Sequence, residues 1–397
     1  MLMDKNVQLS RVYLTAIVLV VLLVGFTAGT RSKEIYGYVS PILGVKVETG
    51  TLDDSSLQDV YQTLKTHYNG KLSDEDLLEG AKHGMVAATG DPHTTYFTPK
   101  EATEFNNELS GDIGAGIGAE IGVRNGQPTV LRTLDEQPAQ KAGLHAGDVI
   151  VGVNDQSTDG WTAEDAVKEI RGEKGTTVKI VVKRDGEAKE FSITRDIINN
   201  PSVSSELKGD VGIMTINRFD SETVSLVRKE ANSLKSKGMK KIVIDMRGNG
   251  GGYLDAAPGV AGMWLDDKLV VSVKANSGGE QKLMSKGDPV LKGVPTAIVV
   301  NGGSASATEI VTAALKYYKV ATIVGEKTYG KGTVQELIPM ANDSMLKVTI
   351  KRWYTPSGAN VNGKGIKPNK SIGLTQKDLD DGHDLQLEQA IESVNGS

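Results

Sequence analysis

The sequence predicts a multidomain α+β protein in which an α/β core follows a small β-rich module, a helical segment and one membrane-spanning helix. Three observations carry this reading. The chain has 397 residues, more than the roughly 250–300 that a single hydrophobic core usually organises. Its periodicity changes in blocks: helical spacing up to about Ala88, short β-branched runs broken by Gly and Pro from Gly111 to about Asn200, then strands alternating with helices. Finally, the apolar run from Val12 to Ala28 is long enough to cross a bilayer core of about 30 Å.

Residues 1–33 read as a cytoplasmic tail and a transmembrane anchor. Lys5 and Arg11 precede the span and favour an N-in orientation, opposed by Arg31 and Lys33 beyond it. Phe26 stands where a signal peptidase prefers a small residue, which argues for an uncleaved anchor, although Thr27-Ala28-Gly29 leaves cleavage open. The rest is then extracytoplasmic, on a cell membrane, and the absence of cysteine suits a bacterial envelope. Within residues 50–110, SLQDVYQTLKTHY and LSDEDLLEGAKHGMVAATG carry helical periodicity, the second opening on Ser73 as a cap, and Gly90-Asp91-Pro92 ends it. Residues 111–198 form the β-rich module, with one helix from Thr162 to Ile170. Residues 205–370 supply strands at 211–216, 241–246, 296–301 and 320–325 and helices at 225–237, 255–265 and 307–318. That alternation predicts a largely parallel sheet covered by helices. A tail at 371–397 carries a helix near Leu385 to Val394.

Several classes of function are excluded. A net charge of −5 without a basic block gives no footprint for nucleic acid. The lack of cysteine removes disulfides, thiolate nucleophiles and thiolate metal sites. His67, His83, His93, His145 and His383 never fall at metal-ligand spacing, so neither metal nor cofactor is expected.

Chemistry concentrates in a few Gly-rich segments. In Gly114-Ala115-Gly116-Ile117-Gly118-Ala119 a loop leads into a strand, a geometry that aims successive N–H groups at a carboxylate. Arg247-Gly248-Asn249-Gly250-Gly251-Gly252 and Gly303-Ser304-Ala305-Ser306-Ala307 each follow a predicted strand, where ligands of open α/β sheets bind. The run from Gly325 to Lys331 looks like the opening of a phosphate loop, but Gly332 stands where a Mg²⁺-binding hydroxyl is needed. A serine hydroxyl needs a neighbouring base, and with no histidine in a strand-end Gly-rich motif, Lys331 is the candidate. Its pKa must then fall well below the ordinary ~10.4, chiefly by desolvation. Extended backbone over 331–335 would put Lys331, Thr333 and Gln335 on one face, with the Gln335 amide orienting the lysine. Ser306 heads a helix whose free N–H groups suit an oxyanion; the Ala307 N–H and one from the Gly250-Gly251 turn are the candidate donors. Taken alone, Ser306 and Glu309 also fit a capping box, and Ser304 is a second hydroxyl that lies before the helix.

Two resemblances tie these segments together. Gln137-Pro138-Ala139 through Ala142-Gly143-Leu144, then Gly147-Asp148-Val149-Ile150 and Val153-Asn154, resembles the PDZ signature. It implies that a peptide adds as a strand along Gly116, Ile117, Gly118 and Ala119, against the helix 162–170. From about Leu52 to the end, Asp91-Pro92-His93-Thr94-Thr95-Tyr96-Phe97, G-S-A-S-A-T-E, G-K-G-T-V-Q and Gly363–Pro368 resemble the C-terminal processing peptidase family. That resemblance implies a ClpP/crotonase-like α/β peptidase core with an inserted PDZ domain. It implies Ser306 as nucleophile, Lys331 as base, Gln335 holding the lysine and Gly251 as the preferred second oxyanion donor. The expected partners are protein substrates taken by their C-terminal tails, with peptide binding coupled to activity, and a homodimer through the helices at 52–88 and 385–394. A membrane-tethered PDZ scaffold with an inert hydrolase domain is the alternative; the presence of both Ser306 and Lys331 speaks against it. A chymotrypsin-like enzyme would need a Gly-x-Ser-Gly sequence that the chain lacks.

Overall fold

The computed structural model describes residues 52–374 and 383–396, except 113, 125, 135, 199, 276 and 277. The apolar run 12–28 lies outside them; among the described residues no helix is long and apolar enough to cross a membrane. The chain divides into two units, residues 1–77 and 78–397. The first holds helix α1 (Ser55–His67) and the start of α2 (Asp74–Ala87). Lys65 Nζ meets Asp74 Oδ1 at 2.9 Å, and Ser73 Oγ caps α2 by accepting the Asp76 N–H at 3.2 Å.

The second unit opens with strand β1 (Thr95–Phe97) and helix α3 (Pro99–Ser110), the latter closed by a Thr98/Glu101 capping box. The β-rich module comprises β2 (Ala115–Gly116), β3 (Ala119–Arg124), β4 (Gln127–Thr133), α4 (Pro138–Ala142), β5 (Val149–Val153) and β6 (Gln156–Ser157). Helix α5 (Ala163–Ile170), β7 (Thr177–Arg184), β8 (Glu187–Thr194) and β9 (Asp196–Ile197) complete it. Its main sheet runs β3-β4-β5-β7-β8, with β6 paired to β5, around a core that includes Ile117, Val130, Leu144, Ile150, Ile180 and Ile193. Asp148 of the Gly-Asp pair is buried and ion-paired to Arg184 at 2.6 Å, so its role is to hold this core together.

The remaining chain forms β10 (Val203–Lys208), β11 (Val211–Ile216), α6 (Thr223–Ser236), β12 (Lys241–Asp245), α7 (Ala256–Ala261), β13 (Leu269–Ala275) and β14 (Glu280–Met284). Then follow β15 (Thr296–Val300), α8 (Ala307–Tyr317), β16 (Ala321–Gly325), β17 (Thr333–Pro339), β18 (Met345–Tyr354), β19 (Lys370–Ser371) and α9 (Leu385–Asn395). One sheet runs β10-β11-β12-β15-β16-β19 and is parallel from β11 onward, as predicted. Its inner strands β11, β12, β15 and β16 are largely apolar and buried because both faces are covered. Ile242 and Ile244 belong to the main core with residues of α6, α7 and α8, while Val243 joins a second cluster with Ala390 and Val394 of α9. Arg247 fastens the start of α9, pairing with Asp245 at 2.5 Å and with Asp384 at 2.7 Å.

The second sheet was not foreseen. It runs β1-β18-β13-β14, with β17 also on β18, all antiparallel. The lysine segment therefore lies at the start of this antiparallel sheet, whereas the serine segment leaves the parallel one.

Candidate active site

Ser306 follows β15 through the turn 301–305 and is the residue before α8. Its backbone has φ 55° and ψ −117°, a conformation costly for a residue with a Cβ. The turn is held from below: Ser304 Oγ donates to the Met246 carbonyl at 2.8 Å, and the Ala305 N–H donates to the Asn249 carbonyl at 3.0 Å. Gly251 lies directly over the serine. A Cβ there would stand 2.7 Å from Ser306 Cβ and 3.0 Å from the Ala307 nitrogen, and φ at Gly251 is +102°, so only glycine fits.

Lys331 is pinned through its backbone. Its carbonyl accepts from Trp353 Nε1 at 2.8 Å; the adjacent Gly332 N–H donates to Asn362 Oδ1 at 3.1 Å, and the Gly363 N–H donates to the Gly330 carbonyl at 2.9 Å. The ending Gly363–Pro368 thus braces the lysine segment. The two segments meet at Glu309, which is fully buried. One carboxylate oxygen accepts the N–H groups of Ser306 (3.0 Å) and Lys331 (2.8 Å); the other accepts Thr328 Oγ1 (2.5 Å) and the Gly330 N–H (2.8 Å). A single carboxylate therefore joins the serine backbone to the lysine backbone. The sequence reading saw only the local half of this, the helix cap.

Ser306 and Lys331 line one cavity of about 570 Å³, with Gly251, Lys347 and Trp353 also on its wall. Burial pushes the Lys331 amine below its ordinary pKa; the charge of Lys347 adds to this, and Asp91 and Glu309 oppose it. Burial and the charges of Lys331 and Lys347 likewise lower His93, with Asp91 opposing. Asp91 belongs to a small network in which Thr94 Oγ1 donates to Asp91 Oδ2 at 2.7 Å and accepts the Thr349 N–H at 3.1 Å.

Two expectations need correction. The Gln335 amide does not hold Lys331: its Nε2 donates to Thr333 Oγ1 at 2.8 Å and to Thr349 Oγ1 at 3.1 Å. Lys331 and Gly332 lie outside β17, which begins at Thr333, so the strand alternation that puts Gln335 beside Thr333 does not extend to the lysine. The Gly251 N–H is also engaged, donating to Asn249 Oδ1 at 2.9 Å. The N–H groups of Ala307, Gly250 and Gly252 engage no acceptor among the described residues. The β-rich module holds its four candidate residues as follows. Gly116 pairs with Asp196, the Ile117 side chain enters the core, Gly118 has φ +73° and Ala119 starts β3. β3 is an edge strand of its sheet, and α5 packs beside it. Arg171 is exposed, whereas buried Arg195, which the sequence did not single out, donates to the Ile170 carbonyl at 2.7 Å and anchors the end of α5.

A PDZ-like module inserted ahead of an α/β core that carries a strained serine and a desolvated lysine defines a class of serine peptidase. Comparison with known proteins agrees. Peptidase family S41 matches residues 210–372, the PDZ domain matches 107–183, and the N-terminal domain of the activating protease CtpB matches 45–101. A CtpA-like serine protease of Staphylococcus aureus is 36% identical over 368 residues, covering 91% of this chain and 74% of the relative. One from Staphylococcus epidermidis is 39% identical over 315 residues, covering 79% of this chain but only 64% of the relative's length. The photosystem II D1 C-terminal processing protease is structurally similar at TM-score 0.51 and 26% identity, covering 81% of this chain and 87% of that one. An S41 protease structure from Bacteroides fragilis, at TM-score 0.60 and 16% identity over 88% of this chain and 99% of that one, shares the fold. The chain belongs to peptidase family S41 and carries a PDZ domain.

Proposed function

We propose that this chain is a serine endopeptidase in which Ser306 attacks the scissile carbonyl, Lys331 takes the serine proton, and the PDZ domain recruits substrates by their C-terminal tails. The observation that carries the reading is the Glu309 bridge, which fixes the serine and lysine backbones to one carboxylate inside one cavity. A lysine serves as base only when neutral, and burial favours that state. Attack forms a tetrahedral oxyanion. The Ala307 N–H, at the positive end of α8, is one donor for it, and a second comes from the free N–H groups of the Gly250–Gly252 turn. Lys331, protonated by the serine, then passes that proton to the leaving amine. Water, deprotonated by the same lysine, releases the acyl group from Ser306.

Ser306 and Lys331 make no hydrogen bond to each other in this substrate-free arrangement. Catalytic hydrogen bonds commonly tighten only in the complex, and a population shift on peptide binding would supply that closure. For tail recruitment, the supporting features are the free β3 edge, the helix beside it and the N–H groups of Ile117 and Gly118, which engage no acceptor among the described residues. In this reading the catalytic part lies outside a bacterial cell membrane, for which the support is the apolar run 12–28 with Lys5 and Arg11 before it.

The test is digestion of an unfolded protein ending in an apolar tail, with a free C-terminal carboxylate or as its C-terminal amide, by the full chain in detergent. Faster cleavage of the free-acid form supports tail recruitment. Equal rates remove it, and no cleavage of either form removes the peptidase reading.

A further inference from the structure

The cavity holding Ser306 and Lys331 has a second lysine on its wall. Lys347 projects from β18, and its ammonium lies 4.9 Å from the centre of the Phe105 ring and 5.1 Å from that of Phe97. Those two rings stack on each other at 4.9 Å, Phe97 from β1 and Phe105 from α3. Aromatic faces attract a cation and restrict where it can sit. Among the described residues Lys347 forms no ion pair within 4 Å; burial lowers its own amine from the ordinary lysine value, and the carboxylate of Glu108 in α3 opposes this and favours the charged form.

We propose that Lys347 is a positioning residue for the Ser306–Lys331 chemistry: its cation, clamped over Phe97 and Phe105 on the wall of the catalytic cavity, keeps the Lys331 amine neutral. The inference rests on the function proposed above. The physical reason is that a fixed positive charge beside a desolvated amine disfavours a second positive charge. Lys331 is faced by Lys347 from β18, by Asp91 and His93 from the segment before β1, and by Glu309 from α8. Lys347 is faced by Glu108 from α3, and His93 senses both lysines. Arg218, on the same wall, is neutralised by Asp220 at 2.9 Å. The Glu309 carboxylate, which would favour a charged Lys331, already accepts four hydrogen bonds. Burial and the two lysines lower His93, which disfavours its charged form. Lys347 is thus the cation of this wall with no carboxylate in contact and with aromatic faces to hold it.

The test is the pH dependence of kcat/KM for the full chain as parent, Lys347→Met and Lys347→Arg, from about pH 6 to about pH 10, the range in which a depressed lysine titrates. In Lys347→Met the acid limb moves to higher pH, and the rate at pH 7 falls by about tenfold for each unit the limb moves, with the alkaline plateau preserved. Lys347→Arg keeps the limb where the parent has it. A Met variant whose plateau drops while its limb stays put, or an Arg variant that shifts as far as Met, overturns the inference. His93→Gln is the control for the titrating group: abolition of the limb by that change also overturns it. Cleavage surviving in Ser306→Ala would instead bring down the underlying peptidase reading.

Discussion

Replacing Glu309 by Gln changes one atom of a fully buried side chain and tests the bridge between nucleophile and base. The carboxylate accepts four hydrogen bonds, two on each oxygen. An amide offers only one acceptor atom. If its nitrogen faces Ser306 and Lys331, two N–H groups meet a third donor and the bridge opens. If it turns toward Thr328 and Gly330, the Thr328 hydroxyl can reverse and accept, but the Gly330 N–H loses its partner. The second arrangement is the cheaper: about 1.5–3 kcal/mol for a hydrogen bond to a charged group, with part of a further 1–3 kcal/mol for an unsatisfied buried donor. Glu309→Gln therefore loses about 2–4 kcal/mol of stability. Glu309→Ala frees all four donors, and Thr328 also holds the Ile366 N–H at 2.7 Å, so this variant should lose most of a typical domain's 5–15 kcal/mol, by roughly the same reckoning. In Gln the remaining bridge is distorted, and displacement of reacting groups by about 1 Å costs on the order of a hundredfold in rate. The assays are the thermal midpoint and kcat on a tail-bearing protein. A Glu309→Gln variant with parental midpoint and parental kcat would refute the reasoning.

Gly251→Ala places a methyl against Ser306 and Ala307 at a φ of +102°; kcat falls by more than about a hundredfold, while the far-ultraviolet circular dichroism stays parental. Lys331 has a folded-state pKa below that of the unfolded chain, so between the two values the unfolded state binds more protons and stability rises with pH. Lys331→Met removes this slope: the variant is inactive and, at neutral pH, melts above the parent, as a pH series of thermal melts would show. Arg247→Met leaves Asp245 and Asp384 without their shared cation and costs about 3 kcal/mol; limited proteolysis then cuts before α9, and parental resistance would contradict its clamp role. Gly118→Val, at φ +73°, weakens binding of a labelled tail peptide to the PDZ domain by more than about tenfold, with short-peptide hydrolysis retained.

What could be read from the sequence was what is local. The strands 241–245 and 296–300, helix α8 and the PDZ signature each rest on periodicity or turn residues within one segment, and they fold as expected. The antiparallel sheet was missed because its strands pair across long separations, Val273 with Trp353 and Thr95 with Lys347, without a periodic sign of their own. Glu309 was read as a helix cap because Ser306 lies three residues away, while Thr328, Gly330 and Lys331 lie 19 to 22 residues on. Gln335 was assigned to Lys331 on strand alternation, but the strand begins only at Thr333, and the Gln335 amide meets Thr333 and Thr349 instead. Lys347 carried no motif; its interest arises only where Phe97, Phe105 and Lys331 converge.

The most direct test of the central claim is the intact mass of the full chain, acid-quenched within the first turnovers on a tail-bearing substrate, followed by peptide mapping. The account predicts a covalent acyl adduct on Ser306 in the parent and none in Ser306→Ala or Lys331→Ala. An adduct on another residue, or cleavage that persists in the Ser306→Ala variant, would contradict it.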